Sequence, residues 1–290
     1  MPITQFLNHI QKNKRYSSHT LKAYESDLIQ LKLYLHSQYE LEIIEANSAS
    51  LRSWIVQLLE SGIENKSINR KISTLKSFYK YLLKEELIST NPTGKLVSPK
   101  LGSTLPNFVR EKEMTNVLDQ FQFENSFKGI RDKMIIELLY SSGIRLSELI
   151  QLKVGDVDLS QSQMKVLGKR NKERIIPIHR KLLLGIKEYL IERNSIAEDL
   201  NLLVTDSGKK MYPKFVYRKV NYYLGQVTTA SKKSPHVLRH TFATHMLNNG
   251  AELNTIKEIL GHANLSATQV YTHNTIEKLR NIYKQAHPRA

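Results

Sequence analysis

The 290-residue sequence contains no cysteine. Its absence excludes disulfides, thiolate nucleophiles and cysteine-ligated zinc together, so any metal would need histidine or carboxylate ligands. The sequence also lacks a run of about 18 apolar residues, the minimum for a membrane-spanning helix. The N-terminus lacks the apolar core of a signal peptide. We therefore expect a cytoplasmic protein that does not bind membranes.

Acidic side chains are few relative to basic ones. The chain has 43 lysines and arginines against 27 aspartates and glutamates, which gives a formal net charge of +16. A protein this basic commonly binds a polyanion, and nucleic acid is favoured over a membrane surface. Because the positive excess occurs in both parts of the chain, both are expected to contact the same polyanion.

The N-terminal third predicts an all-helical domain. Apolar residues recur at intervals of three and four in "SSHTLKAYESDLIQLKLYL" and "KSINRKISTLKSFYKYLLKEEL", with Ser17 or Ser18 as the cap of the first helix and Ser67 as the cap of the second. The pattern ends in "TNPTGKLVSPKLGSTLPNFV", which has three prolines and two glycines. We expect a helical domain over residues 1–95, a linker over 96–107 and a second domain over 108–290.

The second domain predicts a mixture of helices and a hairpin. Two short β-type runs, "MKVLG" and "RIIPI", flank a basic tip at residues 169–172. Helical patterns precede the hairpin in "EKEMTNVLDQF" and "GIRDKMIIELLYSSG", and they follow it around residues 179–193 and 214–229, in "LNTIKEILG", and from about Ser266. The predicted fold is mostly α with a small β-sheet or hairpin.

One helix start places basic residues where apolar ones are usual. In "SPHVLRHTFATHM", Ser234 is a predicted N-cap and Pro235 the first helical residue, which puts His236 and Arg239 one turn apart on one face. A helix N-terminus with a guanidinium beside it can bind a phosphate. The alternative is a surface arginine beside a structural histidine.

Two further cations have a structural and a functional interpretation. Arg145 follows Gly143 in the apolar stretch "SSGIRLSELIQL", where it could form a buried salt bridge to Glu148 or supply a second guanidinium for the same phosphate. Lys169 could be a solvated charge in a turn, or it could reach into a DNA groove as a proton donor.

The last candidate stretch is "LGHANLSATQVYTH", in which Gly261 is predicted to end one helix and Tyr271 lies early in the next. A tyrosine in an amphipathic helix usually packs in the core. A phenol has a pKa of about 10, so it acts as a nucleophile only beside cations and a proton acceptor. His262 and the His236–Arg239 pair could supply them if the fold brings them together.

The order and spacing of these residues resemble the tyrosine recombinases, or phage integrase family, and more narrowly the Xer group of site-specific recombinases. The six matching positions are Arg145 in "GIRLSEL", Lys169 in "GKRNKER", His236 and Arg239 in "HVLRHTFATH", His262 in "LGHANL" and Tyr271 in "VYTH". The resemblance implies a two-domain, C-shaped clamp. A helical SAM-like N-terminal domain would clamp DNA, and an α+β domain would carry the catalytic residues.

The hairpin departs from the Xer pattern at one position. Arg170 stands where this group usually has glycine, which leaves open whether Lys169 or Lys172 reaches the substrate. Lys169 is favoured because it follows Gly168, as the catalytic lysine of the family does.

The resemblance also implies a mechanism. Tyr271 would attack the scissile phosphate to form a 3′-phosphotyrosine, while Arg145 and Arg239 would stabilise the transition state. Lys169 would protonate the leaving 5′-oxygen, and His236 and His262 would assist proton transfer. The scheme needs no metal and no cofactor.

The partners implied are a specific double-stranded DNA site and a homo- or hetero-tetramer with a second recombinase, which exchanges strands through a Holliday junction and resolves chromosome or plasmid dimers. A DNA translocase of the FtsK type is a further candidate partner. The C-terminal helix with Leu279 and Tyr283 is expected to dock on a neighbouring subunit, with packing on its own domain as the alternative.

Two other functions remain as alternatives. An integrase of a phage, transposon or integron would share the chemistry, although no added arm-binding domain is evident. A DNA-organising protein without catalysis is disfavoured because it has no need of Tyr271, Arg145 and Arg239 together.

Overall fold

The computed structural model describes residues 2–14, 16, 18–102, 107–168, 172–197, 199–261 and 273–290, except for the side chains at 14, 19 and 273–276. Lys169, His262 and Tyr271 lie outside these residues, as does the predicted helix start at Ser266. The chain divides into two units, Met1–Thr104 and Leu105–Ala290. Within the described ranges no helix is both long enough and apolar enough to cross a membrane.

In its described residues the first unit is built from helices. They are α1 (Pro2–Lys14), α2 (Ser18–Tyr39), α3 (Ser48–Glu60) and α4 (Asn65–Lys84). The three- and four-residue apolar spacing directs one face of each helix inward, and Leu28, Trp54 and Phe78 are buried in the shared core. The prediction that Ser67 caps α4 is wrong. The N-cap is Glu64, three residues earlier, and the helix begins at Asn65, because the Glu64 carbonyl already accepts from the Ser67 and Ile68 amides.

A buried carboxylate ties α2 to α4. Asp27 accepts from Lys71 Nζ at 3.0 Å and from Thr74 Oγ1 at 2.9 Å, and it also pairs with Arg70. A buried charge needs such partners, so this network fixes which face of α4 turns inward. The exposed side of α4 carries five basic residues, and we call these its basic face: Lys66, Arg70, Lys76, Lys80 and Lys84.

The second unit combines helices with a small sheet, which confirms the predicted fold class. Its helices are α5 (Glu111–Thr115), continued by one π-helical turn (Asn116–Gln120), then α6 (Phe127–Ser142), α7 (Leu146–Gln151), α8 (Arg180–Asn194), α9 (Pro213–Val227), α10 (Pro235–Asn248), α11 (Leu253–Leu260) and α12 (His273–Ala286). Its strands are β1 (Val157–Asp158), β2 (Gln163–Leu167) and β3 (Glu173–Pro177).

The sheet is antiparallel in the order β1-β2-β3. The predicted hairpin corresponds to β2 and β3, whose last pair before the turn is Leu167 with Glu173. Sequence patterns did not predict β1, because two residues are too few to show an alternation.

Helix α6 forms the centre of the second unit, where twelve of its sixteen residues are buried. Helix α12 packs on the same unit, with Leu279 and Tyr283 buried and the Tyr283 hydroxyl donating to the Ser141 carbonyl at 2.7 Å. In the single chain, therefore, these two side chains pack on their own domain, which is the alternative to docking on a neighbour.

The residues after α12 continue this packing. The His287 ring stacks on Tyr283 at 4.9 Å and on His179 at 5.3 Å between ring centres. Arg289 then donates to Asp119 at 2.7 Å and to Glu137 at 3.1 Å.

Candidate active site

The site begins at the end of α6. Gly143 ends this helix in the left-handed conformation, with φ at 61°. A Cβ atom at this position would lie 2.5 Å from Phe242 and 2.7 Å from Leu260, so only glycine allows α10 and α11 to pack this closely on the turn. This turn places the next residues, including Arg145, near the first turns of α10 and the last residues of α11.

Arg145 precedes α7 and is held by Glu148. Its main-chain amide donates to Glu148 Oε2 at 2.8 Å, and its Nη1 donates to Oε1 at 2.7 Å. The salt bridge considered in the sequence is therefore present, yet the Arg145 side chain remains 38% exposed while that of Glu148 is 4% exposed. The guanidinium is oriented by a buried carboxylate and still reaches solvent.

Arg239 approaches the same point from α10. This helix starts as expected, with Ser234 as N-cap and Pro235 as its first residue. The buried Arg239 side chain donates from Nη1 to the Gly143 carbonyl at 2.6 Å and from Nη2 to the Leu260 carbonyl at 2.8 Å. Arg145 donates to the adjacent Gly261 carbonyl at 3.4 Å, so the two predicted guanidinium groups meet at the end of α11.

A third arginine, Arg174 of β3, completes the cluster. It donates from Nη1 and Nη2 to the two oxygens of Glu148 at 3.0 and 2.7 Å, and from Nε to the Ile259 carbonyl at 2.7 Å. Sequence reasoning missed this residue. The signal was available, because strand alternation places Arg174 on the same face as the buried Ile176.

The electrostatics of the cluster favour an anion. Burial, assisted by the positive charges of Arg145 and Arg174, lowers the pKa of Arg239 to about 10. Burial alone would raise the pKa of Glu148, but the hydrogen bonds and charges of Arg174 and Arg145 outweigh it and lower this pKa to about 2. Among the described residues of the cluster, three guanidinium groups thus face one carboxylate. A phosphate diester, which offers two acceptor oxygens, suits such an arrangement.

The base of the hairpin lies beside this cluster. The Gly168 amide donates to the Lys172 carbonyl at 2.8 Å, which closes the base of the hairpin around residues 169–171. A Cβ atom at Gly168 would lie 3.4 Å from Arg174 Nη1 and 3.7 Å from Glu148 Oε1. The residue immediately before Lys169 therefore lies beside the arginine cluster.

The residue before His262 is also in contact with it. Gly261 ends α11 in the left-handed conformation, as predicted, with φ at 65°. A Cβ atom there would lie 3.1 Å from Arg174 Cδ. His262 and Tyr271 themselves lie outside the described residues.

His236 is the remaining candidate. It lies in the first turn of α10, exposed to solvent and one turn before the buried Arg239.

Among the residues with a described placement, no group of three or more acidic or histidine side chains could hold a metal ion.

The model of the family described as "Phage integrase family" matches residues 107–278, and that of the "Phage integrase, N-terminal SAM-like domain" matches residues 3–86. The chain belongs to the phage integrase family. The predicted family resemblance is thereby confirmed, and the chain is a tyrosine recombinase, an enzyme of site-specific recombination that cleaves and rejoins DNA.

Relatives of this phage integrase family member align over almost their whole length. The tyrosine recombinase XerC of Chlorobaculum parvum is 38% identical over 98% of this chain and 94% of its own. The tyrosine recombinase XerC of Staphylococcus saprophyticus is 40% identical over 98% of this chain and 96% of its own.

Solved structures share the fold. The XerH site-specific recombinase bound to palindromic difH substrate, in a post-cleavage complex, superimposes with a TM-score of 0.74 at 20% identity, covering 96% of this chain and 83% of that one. The Tn1549 transposon integrase in complex with circular intermediate DNA gives a TM-score of 0.69 at 19% identity, covering 96% of this chain and 98% of that one.

Proposed function

We propose that this tyrosine recombinase acts on a specific duplex site through a 3′-phosphotyrosine intermediate and a Holliday junction, and that it resolves chromosome or plasmid dimers in the cytoplasm. The observation that carries the proposal is the convergence of Arg145 and Arg239 at the carbonyls of Leu260 and Gly261. Two guanidinium groups held this close by main-chain and carboxylate partners form a preorganised seat for a phosphate.

The proposed chemistry starts with Tyr271. Its Oη forms a bond to the scissile phosphorus as the bond from phosphorus to the 5′-oxygen breaks. Arg145 and Arg239 donate to the non-bridging oxygens, whose charge grows in the transition state. The excess positive charge among the described residues supports these roles. It stabilises the phosphate most in the transition state, where the negative charge on the non-bridging oxygens is greatest.

Proton transfer is assigned to the remaining three residues. Lys169 gives a proton to the departing 5′-oxygen, and His236 and His262 orient the phosphate and assist proton transfer from Tyr271. The short distances from Cβ positions built at Gly168 and Gly261 to Arg174 support the assignment of Lys169 and His262, because each of these residues directly follows a glycine beside the cluster.

Strand exchange needs no external energy in this scheme. The phosphotyrosine retains the energy of the phosphodiester, so the 5′-hydroxyl of a partner duplex can reverse the reaction. Four subunits on two sites would exchange strands in two pairs, either as a homo-tetramer or with a second recombinase, and a DNA translocase of the FtsK type would be a candidate activator.

DNA is held by both units in this proposal, with residues 1–95 as the clamping domain, 96–107 as the linker and 108–290 as the catalytic domain. The exposed basic face of α4 supports this role for the first unit. Lysine and arginine side chains along one helix face neutralise backbone phosphates and release counterions. Of the two helices considered for groove contact, around Thr20 to Leu35 and Ser67 to Leu83, the second corresponds to α4, which presents this basic face.

The relatives favour the dimer-resolution role over a mobile-element integrase. Sequences near 40% identity over the whole chain are named tyrosine recombinase XerC, whereas the transposon integrase shares the fold at 19% identity.

Covalent trapping tests the proposal. Nicked suicide duplexes carrying candidate sites from the source genome are incubated with wild type and with Tyr271→Phe, alone and with a candidate partner recombinase, and separated on a denaturing gel. A protease-sensitive shifted band that requires Tyr271 is the expected result. Binding to the duplexes without any covalent band would overturn the catalytic assignment and favour a DNA-organising role.

A further inference from the structure

Arg174 is the one side chain of the second unit whose described contacts reach the hairpin, the Arg145 turn and the end of α11. It lies in β3, two residues after Lys172 closes the hairpin, and is 4% exposed. Its three described hydrogen bonds run to Glu148 and to the Ile259 carbonyl, at distances of 2.7 to 3.0 Å. A planar guanidinium can bridge two partners in fixed directions, which a lysine ammonium cannot.

Its neighbours are the residues that precede two predicted site residues. A Cβ atom added at Gly261 would lie 3.3 Å from Arg174 Nε and Nη1, and one added at Gly168 would lie 3.4 Å from Nη1. The guanidinium is thus packed between the glycine before Lys169 and the glycine before His262. A side chain at Gly261 would have to displace Arg174, whereas a Cβ atom at Gly168 would lie in ordinary contact with it.

The same guanidinium reaches Arg145 through one carboxylate. Both carboxylate oxygens of Glu148 accept hydrogen bonds from Arg174. They also accept from Arg145, whose main-chain amide and Nη1 are the donors. A displacement of Arg174 would therefore shift the base of the hairpin relative to the turn that holds Arg145.

We propose that Arg174 is a positioning residue, which fixes the base of the Lys169 hairpin against the Arg145 turn so that the lysine ammonium reaches the leaving 5′-oxygen. The proposal rests on the function proposed above, in which Lys169 is the proton donor. Arg174 itself does not touch the substrate in this scheme.

A purely structural salt bridge is the alternative, and Arg131 is a matched control for it. Arg131 is also fully buried in the second unit, donates to Asp132 at 2.8 and 3.0 Å, pairs with Asp206, and contacts none of the six predicted site residues in the described structure. Arg174→Lys and Arg131→Lys remove the same planar group from comparable surroundings. Only Arg174→Lys is expected to change the chemistry of cleavage.

The test uses the suicide duplex on which wild type forms its Tyr271-dependent complex, and a second duplex whose scissile 5′-oxygen is replaced by sulfur. A thiolate leaves without a proton, so this substrate does not require the general acid, whose contribution is about 10²- to 10⁴-fold. We expect single-turnover cleavage of the oxygen substrate to fall at least tenfold in Arg174→Lys. On the sulfur substrate this variant should return to within about threefold of wild type.

Each outcome decides the matter. An equal loss of cleavage rate on both substrates overturns the positioning role. So does a loss of rate no larger than that of Arg131→Lys, once each rate is corrected for the folded fraction that urea unfolding gives. If Arg174→Lys does not fold, Arg174→Gln replaces it, since it removes the guanidinium without leaving an unpaired charge in the core, and the same sulfur rescue is expected. A wild type without any Tyr271-dependent complex would instead contradict the proposed function.

Discussion

Arg239 donates to the Leu260 carbonyl at 2.8 Å, which links the first turns of α10 to the last residue of α11. Its other amino group donates to the Gly143 carbonyl at 2.6 Å. The guanidinium is thus oriented by the main chain on two sides before any phosphate arrives, and no reorganisation is required when charge develops on the substrate.

Replacement of Arg239 by lysine should affect rate more than binding. Arg239→Lys keeps a positive charge but loses the two-sided orientation, so we expect covalent complex formation to fall by about 10²- to 10³-fold. The affinity for the duplex should change by less than about threefold, because most binding energy comes from other phosphate contacts. Single-turnover trapping and a binding titration measure the two effects.

The control for this substitution is Arg218→Lys, at an exposed arginine of α9. It should leave both quantities unchanged. A loss of affinity in Arg239→Lys as large as its loss of rate would contradict the assignment of this residue to the transition state.

Replacement of Gly261, the residue that ends α11, should destabilise the protein. In Gly261→Ala the residue must hold φ at 65°, and its Cβ must fit 3.1 Å from Arg174. The left-handed conformation alone costs about 1–2 kcal/mol for a residue with a side chain. We expect urea unfolding to show a loss of at least this size.

The matched control is a glycine on the exposed side of a helix. Gly225 lies in α9 with nothing within 4 Å of its added Cβ. Gly225→Ala should stabilise the protein by about 0.5–1 kcal/mol, since alanine has the higher helix propensity. Equal effects from the two substitutions would show that the conformation at Gly261 is not a constraint.

Stability should fall on mild acidification because burial lowers the pKa of three histidines, His179, His245 and His287. Burial, together with the charges of Arg289 and Lys181, lowers the pKa of His179 to about 3, and burial beside His179 lowers the pKa of His287 well below its usual range. Below pH about 6.5 the unfolded chain binds these protons while the native protein does not. His179 and His287 then each remove about 1.4 kcal/mol per pH unit.

Urea unfolding between pH 7.5 and 5 measures this slope. His179 Nδ1 accepts from the Leu182 amide at the start of α8, a cap that asparagine can also provide, so His179→Asn should keep the helix start and reduce the slope by about 1.4 kcal/mol per pH unit. His36→Gln, at an exposed histidine of α2, is the control. An unchanged slope in His179→Asn would contradict the prediction.

The basic face of α4 should be visible in the salt dependence of DNA binding. Lys80→Ala removes one exposed cation of this face, so we expect weaker binding across duplex sequences and a decrease of about 1 in the slope of log affinity against log salt. Lys12→Ala, at an exposed lysine of α1, controls for net charge. An identical decrease in both variants would indicate a general charge effect rather than contact along α4.

Local rules predicted much of the framework. The cap at Ser234 and the glycine at the end of α11 were predicted correctly because each depends on a few adjacent residues. The strands β2 and β3 followed from alternation in the same way. The error at Ser67 has the opposite cause, since several residues near the start of α4 are compatible with a helix boundary and local preference does not choose among them.

The arginine cluster was beyond such rules. Arg174 binds Glu148 across 26 positions of sequence and the Ile259 carbonyl across 85. No local pattern encodes those separations, because they depend on how β3, α7 and α11 pack. Sequence therefore predicted Arg145 and Arg239 through a family pattern. Strand alternation could have indicated that Arg174 is buried, but the identity of its partners required the fold.

The burial of α6 affects how variants of this protein should be interpreted. Because twelve of its sixteen residues are enclosed, changes along it that alter the size or polarity of a side chain would destabilise the domain, although none of the six site residues lies on it. A mutational scan scored only by recombination would find inactive variants at most positions of this helix, as it would at the catalytic positions. Scoring the same library for cellular abundance would separate the two groups, since site variants would remain abundant and inactive while α6 variants would be lost.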